Sequence, residues 1–179
     1  MEEGAAGTGS PGPPAPDTWR IPVRVRDLGL LTLRLAVGVS LASHGLPKLR
    51  GGPGRTPPSW LARAMGTNYP AAWAQSGPAN FAAALKTMGM PMPTVGAYAS
   101  GVAELGGGLA IAAGLASPKA NLAVAVNMAV AVRAAHWKTG FYGQGGFEYA
   151  LLLGSAAVAL ALTGPGALSL DGVRGRPGG

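Results

Sequence analysis

The residues of this sequence that could do chemistry are ionisable side chains set inside long apolar runs. They are Arg34, His44, Glu104, Arg133, His136 and Glu148, with Asn127 as a neutral companion. Ionisable groups are costly in apolar surroundings unless they are paired or used. Carboxylates and imidazoles are also the common proton-exchanging groups of proteins. These residue types indicate proton exchange, hydrogen bonding to a small ligand, or buried ion pairs.

Glu104 has two interpretations that do not exclude each other. In the run GVAELGGG, Gly101 and Gly108 share its helix face, so a neighbouring helix or a flat ligand can approach closely. The structural interpretation is an ion pair with Arg34 or Arg133 that holds helices in register, because a buried charge needs a partner.

The two histidines are compatible with more than one role. His44 and His136 fall at similar depth near the same ends of their apolar runs, where a pair of histidines could ligate a haem. No attachment motif accompanies them, so haem is not favoured. A histidine that exchanges protons or hydrogen-bonds a quinone fits better, and an interfacial histidine without a chemical role remains the alternative.

The stretch RAAHWKTGFYGQGGFEYALLL (133–153) contains a glycine-rich link. The link lacks the GxxxxGK[ST] order of a phosphate loop and follows no predicted strand. Its glycines instead predict a tight turn between two apolar helices. The chain has no cysteine, which excludes disulfides, zinc–thiolate sites and iron–sulfur clusters within it. No metal site is predicted.

Composition points to a membrane protein. Of the residues, 48% are hydrophobic and 12% are charged, whereas a soluble domain usually carries about 25% charged residues. The net charge of +7 comes from basic residues scattered at the edges of apolar runs, without the interleaved aromatic residues of a base-stacking surface. Nucleic acid is therefore not an expected partner, and the lipid bilayer is.

Four apolar runs set the predicted fold. They cover residues 28–47, 94–116, 118–137 and 147–166, and about 20 helical residues cross the hydrocarbon core. We expect an all-α, four-helix transmembrane bundle over residues 20–172, with a long loop of short amphipathic helices at 48–93. Residues 1–19 are predicted to be a disordered tail and 173–179 a flexible one.

The expected location is the cell membrane, as a multi-pass protein. The first span usually sets orientation, which places both termini in the cytoplasm, although basic residues are balanced between the two sides. In this arrangement the outer third of the bundle holds a pocket whose floor is Glu104, whose wall includes His44, and whose rim is the 133–148 region.

Several motifs then occur in a familiar order. LRLAVGVSLASHGLPKL is followed by MGMPMP, AELGGGLAIAAGL, AAHWKTGF, GGFEYALLL and GPGALSLD. This order resembles the DoxX family of membrane proteins over residues 28–172. The resemblance implies a four-helix transmembrane bundle. The family is named for similarity to a subunit of a thiosulfate:quinone oxidoreductase, and some members associate with redox or detoxifying enzymes.

The resemblance carries over to particular positions without giving any of them a settled role. These are Arg34, His44, Gly45, Lys48, Glu104, Gly107, His136, Gly146, Glu148 and Asp171. We expect a quinone-facing subunit of a membrane oxidoreductase system. In it, His44, Glu104, His136 and Glu148 form the quinone or proton-relay pocket, and Arg34, Glu104 and Arg133 form the structural ion pair.

Two other functions are compatible with the sequence. The alternative is a non-catalytic membrane scaffold that docks a soluble redox or detoxifying enzyme through segment 48–93. Small-molecule transport is weaker, because four spans need oligomerisation to enclose a path and no broken-helix repeat is visible. A homo-oligomer is compatible with all three functions.

Overall fold

A computed structural model describes residues 23–175. They form helices and contain no strand within that range, so the all-α prediction is confirmed. The helices are α1 (Val23–Arg50), α2 (Ser59–Met65), α3 (Tyr69–Gln75), α4 (Pro78–Thr87), α5 (Pro93–Ala113), α6 (Lys119–Ala131), α7 (Glu148–Thr163) and α8 (Leu170–Val173). The predicted tail 1–19 and residues 176–179 of the predicted C-terminal tail lie outside the described residues.

The four long helices form a closed bundle in which neighbours along the chain run antiparallel. Helix α1 packs along α5, α5 along α6, and α6 along α7, which returns to α1. One end of the bundle, called here the terminal end, holds the start of α1 and the links 114–118 and 164–169. The other end, the cap end, holds the end of α1, segment 51–92 and link 140–147.

Glycines set the distance between α1 and α5. A Cβ atom on Gly38 would lie 2.5 Å from the carbonyl oxygen of Gly108, and one on Gly45 would lie 2.3 Å from the backbone nitrogen of Leu105. These glycines, with Gly101, recur at intervals of seven residues on both helices, which keeps them on one face. The absence of side chains lets the two backbones touch.

A layer of apolar side chains crosses the middle of the bundle. Val37 and Leu41 of α1 meet Ile111 of α5 and Val124 of α6, and all four are buried. Buried polar side chains lie on either side of this apolar layer, toward the terminal end and toward the cap end. The layer therefore separates two polar regions within one bundle.

The lengths of the helices differ from the four spans predicted from the sequence. Among residues 23–175, α5 alone is long and apolar enough to cross a membrane by length and composition. Helix α7 is apolar but has 16 residues, and α6 has 13 before the chain continues as a π turn (Val132–His136) and a 3₁₀ turn (Trp137–Thr139).

The cap contains three short helices, as the loop composition predicts. The backbone nitrogens of Gly51 and Gly77 both donate to the carbonyl of Pro47, at 2.8 and 3.0 Å, so the ends of the α2–α3 excursion meet where α1 ends. Gly77 has a φ of 93° and its Cα approaches Gly51, a position that a side chain would block. Helix α4 then packs on α5 and covers the adjoining polar region.

Candidate functional site

An ion pair between α1 and α5 lies at the centre of the cap-end polar region. Lys48 Nζ is 2.6 Å from Glu104 Oε1, and the side chains are 22% and 6% exposed, respectively. The Gly45 approach brings α1 against the backbone of Glu104 itself. Lys48 lies three residues further along α1, so its side chain reaches the same helix interface.

Two polar side chains and one aromatic ring complete the surroundings of this pair. Asn127 Nδ2 of α6 donates to Glu104 Oε1 at 3.3 Å, and Lys48 Nζ donates to Ser100 Oγ at 3.4 Å. The ammonium also lies 4.6 Å from the ring centre of Phe81 on α4, a cation–π distance. Helices α1, α4, α5 and α6 therefore converge on one charge pair.

One atom of the pair has no partner within residues 23–175. Glu104 Oε2 is buried and makes no hydrogen bond to any of these residues. A buried, unpaired carboxylate oxygen costs free energy, and such atoms in folded proteins usually have a reason. Here it leaves an acceptor, beside the Lys48 donor, for a small molecule or a proton.

A cavity of about 370 Å³ opens next to the ion pair, between α4, α5 and α6. Lys48, Ser100, Asn127 and His136 are its hydrogen-bonding side chains. The rest of the wall is apolar, with alanines of α5 and α6 on one side and Phe81, Leu85, Met88 and Met90 on the other. An apolar cavity with a few convergent polar groups is typical of a small-ligand site.

His136 reaches this cavity from the π turn that follows α6. Its Nδ1 lies 2.9 Å from the carbonyl oxygen of Gly145. A carbonyl only accepts hydrogen bonds, so Nδ1 carries the hydrogen and a neutral ring leaves Nε2 as an acceptor. The π turn directs this side chain toward the cavity, and π turns are frequent at functional sites. No residue pattern in the sequence predicts this turn.

His44 and Glu148 are not among the residues that line the cavity. The His44 ring packs at 5.7 Å on the ring of Tyr149, and His44 does not line the cavity. Glu148 Oε1 accepts from the backbone nitrogen of Gly143 at 3.3 Å and lines a separate depression with Tyr149 and Phe141. Glu148 thus closes the glycine-rich turn that the sequence predicts.

The ion pair expected for Glu104 is different in the structure. Arg34 is buried at the terminal end, where its guanidinium donates to the carbonyl of Leu168, on the far side of the apolar layer from Glu104. Arg133 is exposed on the π turn and forms no ion pair among the described residues. The expected pairs with Arg34 and Arg133 are therefore wrong, and Lys48 takes their place because the short α1–α5 distance admits it.

Arg34 belongs to a second polar region around the end of α5. Gly114, with a φ of 64°, ends α5 and lies directly against the Arg34 guanidinium and Ser169. Asp171 donates its backbone N–H to the Gly114 carbonyl and accepts from the backbone nitrogen of Ser117, both at 3.0 Å. This region fixes the C-terminal segment to the bundle and lies far from the cavity.

Of the predicted pocket residues, His136 lines the cavity and Glu104 pairs with the cavity residue Lys48, and the structure adds Lys48, Ser100 and Phe81. Asn127, expected as a neutral companion, lines the cavity and donates to Glu104. In the sequence, Lys48 is only a position carried over by the family resemblance, without a role. Its spacing of four from His44 in SHGLPK was the available signal, because it places Lys48 on the same face as the approach to Glu104.

The described residues do not form a metal site, since no three His, Asp or Glu side chains in residues 23–175 lie close enough to hold an ion. The cavity can instead donate hydrogen bonds from Lys48 and Asn127 and accept one at His136, and Glu104 holds Lys48 beside it. This set suits an apolar molecule that carries an exchangeable proton or a carbonyl oxygen.

Comparison with known proteins finds one relationship. The family model DoxX matches residues 29–137, which is more than half of the chain and runs from α1 through the π turn. No curated protein and no solved structure matches the chain. The matched range contains every residue of the Lys48–Glu104 cluster and the cavity.

Proposed function

We propose that this chain, which belongs to the DoxX family of membrane proteins, is a four-span bundle that binds a quinone at its cap end as a subunit of an oxidoreductase system. The observation that carries the proposal is the Lys48–Glu104 pair, because Lys48 lines an apolar cavity of about 370 Å³ and Glu104 Oε2 has no hydrogen-bond partner among the described residues. Helices α1, α5, α6 with its following turns, and α7 are the four spans.

The donor set fits a quinone head group. A quinone has an apolar ring with carbonyl oxygens that accept hydrogen bonds, and it takes up two electrons and two protons on reduction. Lys48 has an N–H beyond those used for Glu104 and Ser100, and Asn127 has a second amide N–H. Phe81 and Leu85 supply apolar surface of the kind that packs on such a ring.

The residues of the cluster divide the work of binding and proton handling. Lys48 and Asn127 orient a carbonyl oxygen by donating to it. Glu104 holds the ammonium in place through Oε1, while Oε2 is free to hold a proton. His136 accepts a proton at Nε2, because Nδ1 is committed to Gly145, and it lies on the turn nearest the aqueous link.

Thermal unfolding with added quinone tests this proposal. Lipid-stripped protein in detergent is heated with and without a short-chain ubiquinone analogue. A ligand at 100 times its Kd adds about 2.7 kcal/mol of stability, which corresponds to a rise in Tm of about 5–10 °C for a chain of this size. We expect the Tm of the wild-type protein to rise by this amount when the ubiquinone analogue is added.

Matched variants locate the binding. Ala103→Leu fills the cavity wall and should abolish the rise, whereas Ala36→Leu adds the same volume on an exposed face of α1 and should keep it. Glu148→Gln, in the separate depression, should also keep it. Equal loss in Ala103→Leu and Ala36→Leu, or no rise in the wild type, would overturn the proposal.

A membrane scaffold is the second candidate, and the exposed cap favours it. Helix α2 has no buried residue, and Trp60 on it is 64% exposed. An exposed aromatic side chain on a short helix suits either the bilayer interface or a docked enzyme. The outcome that favours the scaffold is loss of a co-purifying enzyme when Trp60 is replaced by Ala, together with no quinone-induced Tm rise in the wild type.

A further inference from the structure

A second groove, of about 760 Å³, lies where the end of α1 meets the cap. Leu46 and Leu49 of α1, Leu105 of α5 and Leu61 of α2 form its apolar walls, and Trp60 stands at its edge. None of these side chains lines the cavity beside Lys48 and Glu104. The groove is therefore a separate feature, and nothing in the quinone proposal uses it.

Two arginines give this groove a positive charge. Arg50 ends α1 and Arg55 follows five residues later; both line the groove and both are exposed. Neither forms an ion pair with a carboxylate of residues 23–175. Arg55 Nη1 donates to the Arg50 carbonyl at 3.3 Å, and this hydrogen bond holds the Arg55 guanidinium beside Arg50. Within the described residues, the pair is therefore an uncompensated cationic site beside apolar walls.

The backbone holds the arginines in place. The Arg55 nitrogen donates to the Gly52 carbonyl at 3.0 Å, and the Gly52 nitrogen donates to the Trp73 carbonyl at 2.9 Å. The turn that carries Arg55 is thus fixed to α3. A site held before binding loses less conformational entropy when a ligand arrives.

Trp73 supplies the observation that points to a ligand. It lines the groove, is 6% exposed, and its Nε1 has no hydrogen-bond partner in the part of the chain that the structure describes. A buried indole N–H usually finds an acceptor. An anionic oxygen held by the two arginines would supply one.

An apolar strip continues from the groove along α1. Val39 and Leu35 follow Leu46 at intervals of seven and four residues, so they lie on one helix face, and they are 52% and 46% exposed. From Leu46 to Leu35 the helix rises roughly 16 Å. That length accommodates most of a lipid acyl chain.

We propose that the groove binds an anionic phospholipid. Arg50 and Arg55 contact the phosphodiester, the Trp73 N–H donates to one of its oxygens, and an acyl chain follows the apolar strip. A zwitterionic phospholipid carries an ammonium group beside its phosphate, which two arginines without a carboxylate partner in residues 23–175 disfavour. The site needs the membrane location of the family and does not depend on quinone binding.

Native mass spectrometry of the full-length protein tests the proposal. The protein is purified in an equimolar mixture of phosphatidylglycerol and phosphatidylcholine, and bound lipid is counted. Phosphatidylglycerol has a net negative charge and phosphatidylcholine has none, so two arginines at the site predict a preference for phosphatidylglycerol of roughly 10- to 30-fold. Equal retention of the two lipids by wild-type protein overturns the proposal.

Two double variants with the same change in charge separate the groove from net charge. R50Q/R55Q should lose the preference, whereas R63Q/K86Q, at exposed positions that line no part of the groove, should keep it. Equal loss in both overturns the groove assignment. Displacement of phosphatidylglycerol by excess inorganic phosphate would identify a site for free phosphate and overturn the lipid assignment.

Trp73→Phe provides a test that does not change the charge. It keeps an aromatic ring in the groove and removes the N–H that no protein group satisfies. If a lipid oxygen accepts that N–H, retention of phosphatidylglycerol falls several-fold while quinone-induced stabilisation is unchanged. If Trp73→Phe retains as much phosphatidylglycerol as the wild type, the indole N–H does not contact the lipid and the proposed contact is overturned.

Discussion

Replacing Lys48 by methionine should strongly destabilise the protein. Methionine keeps the length and apolar stem of the side chain but leaves Glu104 as a buried carboxylate with a single amide donor, Asn127. At 2.6 Å and an effective dielectric constant of about 20, the attraction between the two charges is about 6 kcal/mol before desolvation. Desolvation of both groups offsets much of this attraction.

The net effect follows from the exposure of the two partners. Removing one member of a buried ion pair usually costs about 3–5 kcal/mol, because the other charge remains buried. Lys48 is 22% exposed, so solvent already screens part of the pair, and we expect about 3 kcal/mol for Lys48→Met. Glu104→Gln should cost less, about 1–2 kcal/mol, because the Lys48 stem is flexible and its ammonium can turn toward water.

Unfolding in detergent, followed by far-UV circular dichroism, measures these differences. The double variant K48M/E104Q leaves no unpaired charge, so its destabilisation should be smaller than the sum of the single effects by about 2 kcal/mol. A Lys48→Met variant within about 0.5 kcal/mol of wild type would refute the reasoning. So would single effects that simply add.

Three further predictions concern other parts of the molecule. Gly45→Ala should destabilise the bundle by several kcal/mol because its Cβ would overlap the α5 backbone. Gly106→Ala, whose Cβ would meet only Val102 Cγ1 at 4.0 Å, should be neutral or stabilise by up to about 1 kcal/mol in the same unfolding assay. Burial raises the pKa of Tyr69 above its ordinary value, so the stability that Tyr69 contributes is complete below about pH 10 and is lost as pH rises through the folded-state pKa. Tyr69→Phe loses the 3.1 Å hydrogen bond to a main-chain carbonyl and should cost about 1 kcal/mol of stability at pH 8. A comparison of the unfolding curves of the two proteins should show this cost shrinking above pH 10. Single cysteines at Ser10 and Gly143 should react with an impermeant thiol reagent from opposite sides of the membrane, and labelling from one side would contradict the proposed orientation.

Helix content and the general region of the site follow from the sequence. Apolar runs of helical length predict the four long helices, and the glycines of GVAELGGG predict a close approach to another helix near Glu104. The sequence does not predict which basic residue pairs with Glu104, since three basic residues lie at plausible depths. Only the antiparallel register of α1 on α5, set by glycine contacts such as Gly45, selects Lys48.

The positions of the histidines show a different limit. His44 and His136 fall at similar depth by counting helical rise, yet only His136 lines the cavity. Rotation about a helix axis depends on packing with neighbours, and the π turn changes that rotation just before His136. A turn with one extra residue leaves no periodic signal in an alanine- and valine-rich run.

The apolar layer of Val37, Leu41, Ile111 and Val124 constrains the energetics of any reaction at the cap end. Among the described residues, no chain of polar groups crosses this layer between Glu104 and the Arg34 region, since buried apolar side chains interrupt α1, α5 and α6 between them. Under the proposed quinone role, proton exchange would therefore be confined to the aqueous compartment on the cap side. Turnover within a single chain would carry no net charge across the bilayer, so its rate should not respond to membrane potential.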